Sequence, residues 1–514
     1  MPSRLQFTLD FEADLGQEVT KRAPDAVDFR ILSQSLDARG ANRGKRPRYQ
    51  YNIEVINKGE KFSKQEEEFK NLGGLSQKPI IIGAGPGGLF CALRLADYGV
   101  PSIIIERGER AHERMKDIAK AWRYGEFNPE SNVCYGEGGA GLFSDGKLIT
   151  RIKSPFVSYV MNRLVDFGAP EETAYISNPH LGSNKIRVLI GKISEFLTSS
   201  GCEIHYKTKA TELIFENKKA VGVVLSNGKT IRSNNIILAT GHSAGDMYQH
   251  LEDLKVSMKP KSFAVGVRIE HPRKYMDELQ YGDFVKNELG AARYRLSWEN
   301  PETSKGTYSF CMCPGGYVLS SGTENNGLVV NGMSNYARNS PWSNSALVVS
   351  VEAGADFEGG LLSGLDFQRK IESAAFNCSV EKASGKEVPF IEVDRFLEGK
   401  VGAGDLPKSS CPSGLFRQDL SEVLPQFILT HLKTAFSHFD KSIKGFLNKA
   451  ILIAPESRTS APVTIERDYE TLESTSHEGL YPCGEGAGHA GGITSAAVDG
   501  VKIAMSILKK EKNI

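Results

Sequence analysis

The stretch PIIIGAGPGGLFCALRLADYGVPSIIIE, residues 79–106, decides the fold. It opens on a short apolar run at Ile80–Ile82 and passes through Gly83-x-Gly85-x-x-Gly88. A helix pattern follows to Gly99, and a second apolar run ends at Glu106. Short, uniformly apolar strands flanking a helix read as a parallel βαβ unit buried on both faces. In that setting the glycines have separate duties. The first makes the tight turn, the second lets backbone approach a pyrophosphate, and the third packs helix against strand. The helix N-terminus, equivalent to roughly +0.5 charge, faces the phosphates. Glu106, 18 residues after Gly88, is placed to accept from adenosine ribose hydroxyls. An acid there disfavours a 2′-phosphate and leaves NAD and FAD both open.

Outward from this unit, 514 residues are too many for one core, so several domains are expected. Lys+Arg 63 against Asp+Glu 62 gives a net charge of +1, with no global pull toward nucleic acid or anionic membrane. No apolar run reaches the length of a membrane span, and the N-terminus has no apolar signal core. Eight cysteines without a CxxC argue against a zinc ribbon or disulfide scaffold. No metal-ligating constellation is visible. Cys311 and Cys313 alternate in FCMCPGG and read as small packed residues. A cytoplasmic, enzyme-like chain is the expectation.

Residues 1–57 predict a small α+β domain of βαβ type, with strands in RLQFTLDF, AVDFRILSQSL and YQYNIEVI. The basic run between the last two (Arg39, Arg43, Lys45, Arg46, Arg48) is either an RNA-contacting loop or a solvated one. Balanced charge and the lack of interleaved aromatics favour the second. Residues 58–77 read as a linker, 78–255 as the first part of the dinucleotide domain, 256–455 as an inserted α+β substrate domain, and 456–514 as the return. Within the first part, 183–201 has one apolar stripe, with Ser183 or Asn184 able to cap it and Gly201 ending it. Residues 211–233 read as three short antiparallel strands turning at NKK and SNG. NNIILATGH then gives a buried strand ending at Thr240 and Gly241. From 256 on, SFAVGVRIEH and NGLVVNGMS read as strands and 420–439 as a helix.

A second apparent fingerprint, Gly486-Ala-Gly488-His-Ala-Gly491, has only 23 residues after it, too few for another mononucleotide half. It makes sense as the last strand and helix of the first domain. The run YGEGGAGLFSDGKLIT, 135–150, is the remaining puzzle. It fails as a phosphate loop, since Leu148 stands where GxxxxGK[ST] needs Ser or Thr.

The NIILATG strand, the three strands before it and the terminal GLY…GE strand resemble FAD enzymes of the glutathione-reductase-like superfamily. VCYGEGGAGLFSDGKL, ATGHSAGDMY, FAVGVRIEHP, FCMCPGGYV, ESRTSAPV and YPCGEGAGHAGGITSAAVDG narrow this to the uncharacterised bacterial FAD-dependent dehydrogenases with a small N-terminal domain. The resemblance implies an α/β, Rossmann-type FAD-binding domain with a three-stranded antiparallel insert and a C-terminal closing strand and helix. It implies FAD held by Gly83, Gly85, Gly88, Glu106 and Arg107, by Ala210, Thr240 and Gly241, and by Gly484 and Glu485. The helix from Gly492 and Ile493 would aim at the flavin. Gly138, Gly139 and Gly141 would pass over the ring, with Lys147 near its polar edge. The family usually carries Tyr where His489 stands.

Candidates for handling substrate are His180, His242 after the ATG strand, Arg268, His271, Arg458 and His489, with Arg458 favoured for binding an anion through its fork. The implied reaction is hydride transfer between FAD and a small organic molecule. Without a second Rossmann unit, NAD(P)H would serve only as a transient donor. An RNA-modifying flavoenzyme and a non-catalytic flavin sensor are the alternatives.

Overall fold

The computed structural model describes residues 2–63, 69–286 and 289–512. At its centre lie five parallel strands of three residues each, in the order Leu480–Pro482, Ile236–Leu238, Ile80–Ile82, Ile103–Ile105, Glu203–His205. Three of them are Ile/Leu throughout and buried at every position, as a sheet covered on both faces requires. The helix Pro86–Asp97 packs against the last helix, Ile493–Lys512. There is no room between them: a Cβ on Gly500 would lie 2.0 Å from the Gly87 carbonyl oxygen. The last strand and helix thus complete the sheet that residue 80 begins. The antiparallel insert forms as expected from Ala210–Glu216, Lys219–Leu225 and Thr230–Arg232. Asn217 and Lys218 both take positive φ, the hairpin geometry whose twist matches the strands.

The 183–201 stripe is the helix Gly182–Ser199, but neither expected side chain caps it. Ser183 lies inside the first turn, and Asn184 Oδ1 instead accepts from the Tyr336 N–H at 2.8 Å.

A second sheet of seven strands carries the largest core and runs from Phe263–Pro272 to Ile451–Glu456. The strand pair Met258–Pro260 and Val463–Ile465 flanks it where the chain leaves and re-enters the first unit. The helix expected over 420–439 is Gln426–Ser442, preceded by a 3-10 turn at Leu420–Glu422. Pro425 makes the difference, since it cannot continue a helix but suits a position just before one.

At the N-terminus, Ser3–Asp10 and Ala26–Asp37 flank Arg48–Asn57, which pairs antiparallel with both, and Leu15–Arg22 is the crossover helix. The basic loop is tied down locally. Arg39 forms a two-point pair with Asp37, Arg46 meets Asp10 and Glu12, and Asn42 donates to the Leu279 carbonyl. Of the expected linker, 64–68 lie outside the described residues. Phe69 packs edge-on against Tyr98 and Tyr159 of the central unit. No helix among the described residues is long and apolar enough to cross a membrane.

Candidate active site

The C-terminal ends of the parallel strands open into a cavity of about 1070 Å³, at the upper limit of the ~300–1,000 Å³ usual for small-molecule sites. Gly83 and Gly85, Glu106 and Arg107, Thr240 and Gly241, and Gly484 and Glu485 border it, each pair following a central strand. Gly139, Gly141, Lys147, Ala210, Gly492 and Ile493 also line it. Gly88 and Gly138 do not. Gly88 sits under the turn, where a Cβ would lie 2.0 Å from the Gly83 oxygen, and Gly138 packs on Leu142 and Ile190.

Glu106 ties this wall together. Its carboxylate accepts from the N–H groups of Ala84, Gly108 and Gly136, each at 2.9 Å. Arg107 is held by Glu130 and Asp246 and lies 4.1 Å above the Tyr135 ring. The glycine-rich run is gripped from beneath by Arg114, a fully buried residue that nothing in the sequence marks out. Its guanidinium donates to the carbonyls of Asn132, Val133, Gly136, Glu137 and Gly139. Burial lowers its pKa to about 10, so it stays charged at neutral pH. The Glu137 carboxylate accepts from Ala111 N–H, Ser194 and Tyr206.

The candidates for substrate chemistry separate sharply. His242, Arg458 and His489 border the cavity; His180, Arg268 and His271 do not. Both His180 nitrogens face carbonyls, Asp145 at 2.8 Å and Tyr336 at 2.9 Å. Burial and Arg338 hold it below the ordinary histidine value, so the neutral ring donates to one of them only. His271 is wholly buried against Phe446 and, through burial, titrates near 4. Arg268 is buried behind the wall on Glu456, and Glu456 itself borders the cavity. Arg458 does reach the cavity, but its fork is already taken by Glu372, at 2.8 and 2.5 Å, and Thr323 holds its third nitrogen. His489 Nε2 faces the Ile465 carbonyl at 2.9 Å.

His242 and groups beside it hold the chemistry that faces the cavity. His242 Nδ1 is 3.8 Å from Glu485 Oε1. Burial, then Arg458 and Lys261, bring His242 down to about 4, while burial lifts Glu485 to about 7 against the opposing charge of Lys261. Cys311, at φ +43° in a strand irregularity, borders the cavity, whereas Cys313 is buried. The expected packing role therefore describes Cys313 and not Cys311. Lys147 donates to the Met312 carbonyl between the two cysteines and pairs with Asp145 at 3.3 Å. Among the described residues, no group of three or more His, Cys, Asp or Glu is placed to hold a metal ion.

The Glu485 environment has a measurable result. Between the ordinary value of 4.5 and about 7, the folded chain binds more protons than the unfolded chain. This carboxyl therefore lowers stability as pH rises through that window and is level outside it. Cofactor-free wild type should lose urea midpoint relative to Glu485→Gln between pH 4.5 and 7. A gap that stays constant with pH would refute the assignment.

Residues 77–258 match the pyridine nucleotide-disulphide oxidoreductase family, and 262–459 match the C-terminal domain-like region of FAD-dependent proteins. An uncharacterized protein of Clostridium beijerinckii (strain ATCC 51743 / NCIMB 8052) is 41% identical over 519 residues, covering 97% of this chain and 96% of that one. Among solved structures, the flavin-dependent halogenase CmlS is 13% identical at TM-score 0.37, covering 85% of this chain and 59% of that one. Glycine oxidase from Bacillus cereus ATCC 14579 is 11% identical at TM-score 0.31, covering 85% and 96%. At such scores neither bears on fold or chemistry. The Clostridium relative runs nearly end to end with this sequence, and the two family matches fall on the two units that build the cavity, so the chain belongs to the FAD-dependent pyridine nucleotide-disulphide oxidoreductase family.

Proposed function

We propose that the chain is an FAD-dependent oxidoreductase that transfers a hydride between the flavin and a small organic substrate. One observation carries this reading. A single cavity is walled on one side by the fingerprint turn and the returning 484–493 segment, and on the other by the strand Gly306–Cys313 of the seven-stranded sheet. The first wall fits a dinucleotide. A Cβ on Gly241, Gly491 or Gly492 would meet nothing within 4 Å, so open space lies against bare backbone there. FAD would be held by Gly83, Gly85, Glu106, Arg107, Ala210, Thr240, Gly241, Gly484 and Glu485, and by the helix start at Gly492 and Ile493. When bound, it supplies two-electron hydride chemistry.

The chain's own residues supply the rest. Glu485, titrating near 7, can hold or release a proton at its carboxyl under neutral conditions. His242 stays neutral beside it and can bond to either form. Arg458, fixed on Glu372, keeps its guanidinium against the wall and helps hold His242 neutral. The described residues contain one five-stranded parallel sheet, which supports a nicotinamide donor binding transiently in the same cavity. All eight cysteines are free, which supports a reducing, cytoplasmic location.

The test is the visible spectrum of the purified chain, with anaerobic addition of NADH and then NADPH. A flavin spectrum that one donor bleaches supports the proposal and names the donor. A flavin that neither reduces directs attention to a dehydrogenase reduced by its substrate. A chain that cannot be loaded with FAD overturns the reading.

A further inference from the structure

The cavity continues past the residues assigned to the cofactor. Its remaining wall includes Arg151, Arg293, Arg295, Tyr308, Phe310 and Ile152. Arg293 and Arg295 alternate with the buried Ala292, Tyr294 and Leu296 on the extended segment that leads into the strand Ser297–Glu299. Both guanidinium groups therefore leave one face of that segment. Neither they nor Arg151 makes a hydrogen bond or ion pair among the described residues.

Guanidinium groups at a surface are ordinarily solvated, so the surrounding charges decide the matter. The acids on the cavity wall are Glu106, Asp145, Asp246, Glu456 and Glu485. Glu106 accepts from three backbone N–H groups and has the buried Arg114 close by as a counter-charge. Asp246 is shared by Arg107 and Lys209, and Glu456 is paired with Arg268. Asp145 is already divided between Lys147 and Arg338. Glu485 has His242 and the charge of Lys261 near it and, titrating at about 7, is about half protonated at neutral pH. None of these carboxylates is bonded to the three arginines, although Asp145 lies close enough to act on Arg293. Desolvation in the cavity and the nearby Arg338, opposed by Asp145, lower Arg293 to about 10, which still leaves it charged. A concave site with unbalanced charge of one sign focuses its field on a ligand of the other sign.

We propose that this part of the cavity binds the substrate through one or more anionic groups, carboxylate or phosphate, on Arg151, Arg293 and Arg295, with its apolar body against Tyr308, Phe310 and Ile152. The flavin reading identifies what this acid reacts with; the binding itself stands apart from it. The anion-binding role expected of Arg458 thus moves to side chains whose forks are free.

Calorimetric titration of the full chain at constant ionic strength, with and without FAD, tests this. The probes are phthalate, phenyl phosphate and benzyl alcohol, so the first two separate carboxylate from phosphate. At least one anion should bind tenfold or more tightly than the alcohol. Arg293→Met/Arg295→Met, and separately Arg151→Met, should weaken it while the thermal midpoint and FAD content are unchanged. Should one variant misfold, the other and the wild-type anion preference still decide. Equal binding of the alcohol, no anion binding at millimolar concentration, or unchanged binding in folded variants would overturn the proposal. A chain that takes no FAD yet binds the anions through these arginines would remove the flavin reading alone.

Discussion

Glu456→Ala is expected to destabilise the chain by about 3–5 kcal/mol, because it strands a buried charge. The Arg268 side chain has no exposed surface. Its Nε donates to Glu456 Oε2 at 2.9 Å and its Nη2 to Glu456 Oε1 at 3.0 Å. Its other bonds reach only neutral acceptors, including Asn344 Oδ1 at 2.7 Å and the Cys311 carbonyl at 3.2 Å. Without Glu456 the guanidinium stays charged inside the seven-stranded sheet with no counter-charge bonded to it. Glu456→Gln keeps an acceptor and should lose less. Arg268→Met combined with Glu456→Leu removes both charges and should recover most of the deficit. Urea unfolding of the four proteins decides. A Glu456→Ala variant within about 1 kcal/mol of wild type would mean that the pair contributes little net stability.

Gly83→Ala should act on both the fold and the cofactor. Gly83 has φ +106°, and a Cβ there would lie 2.3 Å from the Ala239 carbonyl oxygen of the neighbouring strand's end. Backbone cannot swing aside as a flexible side chain can. Left-handed strain of ~1–2 kcal/mol and overpacking of ~1–3 kcal/mol together give about 2–5 kcal/mol. The strand ends must part to admit the methyl, and the turn on which the pyrophosphate would rest moves with them. The variant should purify with at least tenfold less FAD than wild type. Gly191→Ala is the contrast. Gly191 lies in the helix Gly182–Ser199, and a Cβ there would meet nothing within 4 Å, so alanine should stabilise by about 0.5–1 kcal/mol. Equal flavin content in all three proteins would show that the turn does not hold the cofactor.

These two sites also mark what could be read from sequence. The Gly83 turn is a local problem: a short strand, a reversal and a helix must fit within a few residues, and only glycine meets the contacts. Such constraints are written where they act, so the parallel sheet, the antiparallel insert and the returning segment were all legible. The Arg268–Glu456 pair is separated by 188 positions and the Arg458–Glu372 pair by 86. Nothing near Arg458 in the chain shows that its fork is occupied, so its charge type suggested a ligand that the fold had already supplied from within. His271 misled in the same way, because a burying strand and a functional strand look alike around one histidine. Arg293 and Arg295 did carry a signal in AARYRLSWE, where arginine alternates with apolar residues. That pattern says the arginines share a face and cannot say what the face looks onto. Arg114 had no signal at all, since a buried arginine serving carbonyls has no composition to distinguish it from a surface one.

That arginine changes what the glycine-rich run means. A loop of free glycines must be ordered by whatever docks on it, at roughly 1–2 kcal/mol of backbone entropy per residue. Here Arg114 and Glu137 fix residues 132–139 from the protein side before any ligand arrives. The ordering cost is met during folding, and a flat ring laid on this surface finds it preorganised. Glycine's role in this run is internal fit rather than flexibility: a Cβ on Gly136 would lie 2.6 Å from Arg114 and one on Gly139 3.1 Å from the Gly85 backbone.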